Sequence, residues 1–246
     1  MGYPHNITLR RVTNCPMYWN PDIPRGESYS LVQAAVAAGY ATLSYGRFVV
    51  ASSSPANSLT DAQFGVETAI LNHLVHYART TVSASKAALV EHSYGAYLSA
   101  ATASQIAVDA VVLTGFSGTS QFFAPFVAGS SLRVAKIQDP LLWEHLDSGY
   151  LTSSDFTPKS TASLPPHSLS IGWPDGTLTD SQAFGVGGLP SLLATEIPYD
   201  NITAPVLVFQ GQYDLPSCGG NCLGLLNRTS ELFSNAKVVE TVDDCQ

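Results

Sequence analysis

The residues best equipped for chemistry sit in one short stretch, "LVEHSYGAY" from Leu89 to Tyr97, which overlaps the apolar run "KAALV". A serine hydroxyl is a weak nucleophile unless a base takes its proton and donors stabilise the oxyanion that forms. A sharp turn from a buried strand into a helix meets part of that need. It lifts the hydroxyl above the sheet edge and aims the first N–H groups of the helix at a substrate carbonyl. Ser93 follows a strand-like run and precedes a helix-like one. Gly95 is the small residue a tight turn needs, and Tyr94 would offer its backbone N–H to the oxyanion. The pattern G-x-S-x-G is incomplete, because Glu91 stands where its first glycine belongs. An S-x-G triplet also closes many ordinary strands, so the flanking strand and helix carry the reading.

In such a turn-based triad the order along the chain is Ser, then Asp or Glu, then His. "VLVFQGQYDLP" supplies Asp214 just past a strongly apolar strand. The plainer alternative is a turn aspartate ahead of proline. The base is absent from its expected place. The histidines are His5, His73, His76, His92, His145 and His167, and none follows Asp214. His73 and His76 sit in a predicted helix. His92 adjoins the serine, with a side chain expected to point away from the hydroxyl. His145 and His167 belong to a long middle segment and would have to dip toward Ser93.

These residues need a scaffold, and the apolar patterning predicts one. "ESYSLVQAAVAAG" reads as a helix from Glu27 to Gly39, after an irregular, proline-rich opening. "YATLSYG" reads as a short buried strand, and a Ser/Ala/Pro-rich loop runs from Val50 to Leu59. Asp61 opens a helix, "KAALV" is a strand, "SYGAYLSAATASQ" a helix and "DAVVLTG" a strand. This alternation predicts an α/β fold, a mostly parallel sheet with helices on both faces. Between Gly115 and Asp200 the rhythm breaks into a Ser-, Pro-, Gly- and aromatic-rich stretch with Trp143 and Trp173. That is too long for an ordinary loop, so residues 115–200 are predicted to form an inserted cap. Residues 1–114 and 201–246 then form one discontinuous core, in which "APVLVFQGQYD", "LGLLNRTSELFSN" and "AKVVETV" resume the strand, helix and strand.

Composition agrees with a folded, buried core: 45% of residues are hydrophobic and only 12% charged, which argues against disorder. The net charge is −8 and the 11 Lys and Arg residues are scattered, so nucleic acid is not an expected partner. No run approaches the roughly 18 apolar residues of a membrane span, and the first residues lack the apolar centre of a secretory signal. Sequons at Asn6, Asn201 and Asn227 are candidate glycosylation sites. Cys218 and Cys222 bracket "GGN"; a small disulfide is preferred over metal ligation, because no His or second Cys pair lies nearby. Cys15 and Cys245 either pair or stay free.

The chain resembles the α/β-hydrolase superfamily, and within it a group of secreted fungal α/β hydrolases. The matching stretches are the pair Tyr18 and Trp19, "ESYSLVQAAVAAGYATLSY", "HSYGAYLSA", "AVVLTGFS", "YLTSSDF" and "APVLVFQGQYDLPSCGGNC". They span about Tyr18 to Val242; the elbow is generic, whereas the Tyr-Trp pair and the C-x3-C loop are more particular. The resemblance implies a Ser-Asp-His triad acting on an ester or similar acyl bond of a small molecule, with no cofactor, in a secreted protein. Ser93 matches the nucleophile and Asp214 the acid. The resemblance places the histidine in a Gly-His pair a few residues after the last strand, which these 246 residues do not contain. It also places a His-Gly oxyanion loop before the Tyr-Trp pair, near Arg10 and Arg11, where this opening has no match. "YGRFVVASS" (Tyr45 to Ser53) replaces a pattern like Tyr-Asp-Arg-Leu-Gly-x-Gly-x-Ser.

These departures suggest a chain truncated at both ends, with one sheet edge left bare. A lost oxyanion donor would cost roughly 3 kcal/mol of transition-state stabilisation. A lost base would leave only binding and the remaining donors. Glu91 would crowd the strand–helix crossing and, if turned into the site, oppose an oxyanion. The expected function is therefore an impaired serine hydrolase. A non-catalytic binding protein on the same fold is the alternative, and a hydrolase using His145 or His167 a third. The aromatic cap residues, including Phe116, Phe122, Phe123, Phe126 and Phe156, suit either an apolar substrate group or simply the cap's own core.

Overall fold

The computed structural model describes residues 6–11, 19–20, 26–48, 53–54, 56–130, 132–138, 140–153 and 183–245. Strand β1 (Asn6–Arg11) comes first, then a 3-10 turn (Gly26–Tyr29) and helix α1 (Leu31–Ala37). Ser30 fixes where α1 begins, because its hydroxyl accepts the Gln33 N–H at 3.0 Å. Strand β2 (Ala41–Tyr45), helix α2 (Phe64–Thr80), strand β3 (Lys86–His92), helix α3 (Tyr94–Gln105) and strand β4 (Ala110–Thr114) alternate next. The middle of the chain holds α4 (Phe123–Gly129), β5 (Leu132–Val134), α5 (Ala135–Gln138) and α6 (Pro140–Trp143). It continues with β6 (Tyr150–Ser153), β7 (Phe184–Gly185) and α7 (Gly188–Leu193). Strand β8 (Val206–Gly211), helices α8 (Leu215–Cys218) and α9 (Leu226–Glu231), and strand β9 (Val239–Cys245) follow.

Six strands form one sheet in the order β2-β1-β3-β4-β8-β9, and every neighbouring pair is parallel. Parallel pairing requires crossovers, and the helices supply them. The period of two along each strand divides the side chains between two layers. Ala87 and Leu89 of β3, Val111 and Leu113 of β4, and Val206 and Val208 of β8 join the main core with α2, α3 and α9. Val90 and Val112 face the other way, onto Trp19 and the α1 residues Leu31 and Val32. The α/β expectation with both faces covered therefore holds.

The opening is not irregular throughout, as the sequence suggested. Asn6–Arg11 is inserted between β2 and β3, with Ile7 opposite both Ala41 and Ala87. "NITLRR" is short and carries two arginines, so its own patterning is weak; pairing on both sides supplies what propensity does not. Among the described residues β2 is one edge of the sheet, and none of its side chains is fully buried. Helix α9 is shorter than the predicted Leu223–Asn235 stretch, which the chain covers partly as turns.

Within the middle segment Ala135, Trp143, Leu146, Tyr150 and Ala183 form a second small core beside the antiparallel sheet β5-β6-β7. The ends of the segment behave differently: Phe116, Leu192 and Ile197 are buried in the main core. Asp147 ties the small core to the loop before α2, accepting the Ser58 N–H at 2.9 Å and the Ser58 hydroxyl. Desolvation alone would raise the Asp147 pKa, but these bonds and the Gly149 N–H together hold it below the usual value. Cys15, Tyr18, Phe156, Trp173, His5 and His167 lie outside the described residues.

A buried glutamine joins the ends of β4 and β8. Gln210 is fully buried, and its Oε1 accepts the Phe116 N–H at 2.7 Å where the chain leaves the sheet. Gln210→Met keeps the side-chain volume but strands that N–H, so urea unfolding should show a loss of about 1–3 kcal/mol. Unchanged stability would mean that the bond contributes nothing net.

Candidate active site

Ser93 occupies the turn between β3 and α3 with φ 54° and ψ −124°, a region that residues bearing a Cβ seldom enter. Such a residue costs roughly 1–3 kcal/mol, so neighbours must impose it. Two do. The Ser93 N–H donates to the Thr114 carbonyl at 2.8 Å, tying the turn to the end of β4, and the Ser93 carbonyl accepts from Ala96 at 2.8 Å. Among the described residues, no hydrogen bond engages the Ser93 hydroxyl, and the residue is partly exposed. The N–H of Tyr94 lies in the first turn of α3, where backbone donors have no intrahelical acceptor.

The crossing of β3 and α3 is close because Gly95 has no side chain. A Cβ there would come within 2.5 Å of Glu91 Oε2. Glu91 is fully buried and shares a strand face with Ala87 and Leu89, beneath the helix. The crowding expected of Glu91 is therefore real and is absorbed by Gly95. Its carboxylate lies under α3, against Gly95.

The opposite face of β3 carries His92. Its Nδ1 lies 2.9 Å from Thr114 Oγ1, and that hydroxyl donates to the Glu91 carbonyl at 3.2 Å, which leaves the ring N–H as donor to the hydroxyl. The ring packs onto Gly115, where a Cβ would meet His92 Cε1 at 2.6 Å. Burial lowers the His92 pKa, and the nearby charge of Asp214 partly offsets this. The same carboxylate adds to the rise of the Tyr97 phenol, which burial chiefly causes. Asp214 thus acts electrostatically on residues of both β3 and α3 that flank Ser93.

Asp214 itself caps α8, accepting the Ser217 N–H at 2.8 Å. Its loop is closed by a disulfide between Cys218 and Cys222, whose Cα atoms are 4.9 Å apart. The Cys218 N–H bonds to the Asp214 carbonyl at 3.1 Å and the Cys222 N–H to that of Gln212 at 2.9 Å. Among the described residues, no group of three His, Cys, Asp or Glu is placed to hold a metal ion. No helix there is long and apolar enough to cross a membrane.

His73, His76 and His145 are exposed, and none of them or His92 is hydrogen-bonded to Ser93. Of the sequons, Asn6 begins β1, while Asn201 and Asn227 are exposed. The side chain of Cys245 lies outside the described residues.

One contact at this turn does not follow from the sequence patterning. Arg47, in the departing "YGRFVVASS" stretch, donates to Glu67 of α2 through Nε (3.1 Å) and Nη2 (2.8 Å). Its guanidinium also lies 4.5 Å above the Tyr94 ring. A signal existed: Glu67 falls on the same helix stripe as Phe64, Leu71, Val75 and Ala78, where a charge demands a partner.

Solved structures share this fold. The chain covers 98% of its length and 82% of the other chain in a match to a structure from work on carboxylesterases of the thaumarchaeon Nitrososphaera gargenis, with TM-score 0.60 and 13% identity. The monoacylglycerol lipase of Paleococcus ferrophilus matches over 98% of this chain and 85% of that one, with TM-score 0.54 and 16% identity. Est1E from Butyrivibrio proteoclasticus with ferulic acid bound matches over 98% and 81%, with TM-score 0.53 and 15% identity. Identities this low establish a shared architecture. No family model and no curated protein matches the sequence.

Two outcomes test this geometry. Gly95→Ala should lower stability by about 1–3 kcal/mol through overpacking, and much less in a Glu91→Ala background; additive effects would dissociate the two residues. For His92, the unfolded chain titrates near 6.5 and the folded chain lower, so the unfolded state binds more protons between those values. The stability linked to His92 is thus complete above the unfolded value and is lost as pH falls through the folded one. Urea unfolding from about pH 8 to pH 5 should show that decline, reduced in His92→Gln. A variant profile parallel to wild type would assign the decline elsewhere.

Proposed function

We propose that this chain, which has the α/β-hydrolase fold, is a serine hydrolase that cleaves an ester or related acyl bond of a small molecule. The observation that carries the reading is the backbone of Ser93, held at φ 54° on the turn from β3 into α3 with its hydroxyl free of hydrogen bonds among the described residues. A strained turn at a strand end is the geometry that exposes a nucleophile.

In this reading Ser93 Oγ attacks the acyl carbonyl carbon while a base removes its proton. The Tyr94 N–H, at the positive end of α3, stabilises the oxyanion. The carbonyl reforms, the bond to the alcohol oxygen breaks, and the alcohol leaves with the proton. Water then cleaves the acyl-serine and releases the acid. Asp214 is proposed as the carboxylate that orients the base, on the loop after β8. Because none of the described histidines is hydrogen-bonded to Ser93, slow turnover is expected.

A cleft of about 230 Å³ beside Tyr97 of α3 supports a small substrate. Tyr97, Phe123, Leu192, Ile197 and Tyr199 line it together with the polar Ser120, Thr195 and Glu196. The Cys218–Cys222 disulfide and the exposed sequon residues Asn201 and Asn227 support a secreted protein.

Hydrolysis of p-nitrophenyl butyrate and palmitate tests the proposal. Butyrate should be turned over at least about tenfold faster, and Ser93→Ala should reduce both to the background rate. Turnover unaffected by Ser93→Ala would overturn the assignment of the nucleophile.

A further inference from the structure

We infer that Arg47 is a positioning residue for the nucleophile turn, acting through Tyr94. The inference rests on the reading of Ser93 as nucleophile and goes beyond it, because it assigns a device that sets the Tyr94 N–H.

Tyr94 is the first residue of α3, so the direction of its ring and the direction of its N–H are joined at one Cα. The ring is restrained on several sides. Arg47 covers one face with its guanidinium carbon 4.5 Å from the centroid, within the range of a cation–π contact. Phe64, the first residue of α2, meets it edge-on at 5.8 Å and 86°. The phenol donates to the Gly188 carbonyl at 3.4 Å, at the start of α7.

Arg47 is itself immobilised. Both of its contacts to Glu67 are charge-assisted and together bidentate, with 13% of the Arg47 side chain exposed and 1% of that of Glu67. A buried ion pair is seldom the most stable filling for such a space, since apolar side chains of similar volume often do as well or better. A cation beside the first turn of a helix is also unfavourable, because that end already carries partial positive charge. The buried Glu67 calls for a cation, a demand that a lysine would also meet. A planar guanidinium, fixed by a fork and laid flat on an aromatic ring, does what an aliphatic filler cannot: it fixes the tilt of that ring. Through the shared Cα it fixes the donor that faces the developing oxyanion.

The test combines kinetics with amide exchange in the full chain. In Arg47→Met, kcat for p-nitrophenyl butyrate should fall about tenfold or more with KM within about twofold, the pattern of a lost transition-state contact. Amide hydrogen exchange at Tyr94 and Gly95 should speed up about tenfold, with β4 and β8 unchanged. Arg47→Lys should not rescue either, because an ammonium lacks the bidentate fork. In a Tyr94→Leu background, Arg47→Met should have no further effect on kcat. A folded Arg47→Met with wild-type kcat and exchange would overturn the inference, as would an undiminished loss in the Tyr94→Leu background. If Arg47→Met does not fold, Arg47→Lys carries the same comparison. If the wild-type chain shows no Ser93-dependent turnover, the nucleophile reading fails, and exchange at Tyr94 and Gly95 still decides the role of Arg47.

Discussion

The backbone of Ser93 is the constraint on which the rest depends. A serine at positive φ is unfavourable by itself, and it persists only where strand and helix are both anchored. The anchor on one side is β3, paired with β1 and β4 in the interior of a six-stranded parallel sheet. On the other side, α3 is buried along Gly95 to Ala103 against α2 and the strand face. The hydrogen bond from Ser93 to Thr114 joins the turn to the next strand, so Ser93 is fixed relative to β4 as well. Loss of any of these supports would let the turn relax.

The surroundings of that turn are unusual in their charges. Glu91 lies under the helix, in space that exists only because Gly95 has no side chain. The Arg47–Glu67 pair presses on Tyr94 from the side of β2 and α2. His92 lies on the opposite face of β3, bonded to Thr114 and felt by the charge of Asp214. Arg47, Ser93 and Asp214 thus follow β2, β3 and β8 at the same end of a parallel sheet, the end where such sheets place their ligands. The disulfide and the α8 cap restrain the third loop and leave Asp214 in a defined position.

Much of this arrangement was legible because it is local. Strand, turn and helix around Ser93 follow from "KAALV", from Gly95 and from the apolar helix that follows, all within twenty residues. Asp214 and the Cys218–Cys222 pair follow in the same way from one strand end and one glycine-rich loop. What escaped was non-local. Asn6–Arg11 reads as irregular because its stability comes from neighbours on both sides. Arg47 and Glu67 are twenty residues apart and meet only through the packing of α2 on the sheet. Glu91 was visible as a departure, but only the geometry shows that its side chain lies beneath Gly95.

The central claim is that Ser93 is a displayed nucleophile, and its chemistry can be read directly by mass. The purified chain is incubated with a fluorophosphonate, digested and mapped by tandem mass spectrometry. A single adduct on Ser93, absent when the chain is unfolded in urea before labelling, is the result this account predicts. No adduct on Ser93 at probe concentrations that label other serines, or equal labelling of the folded and unfolded chain, would contradict it.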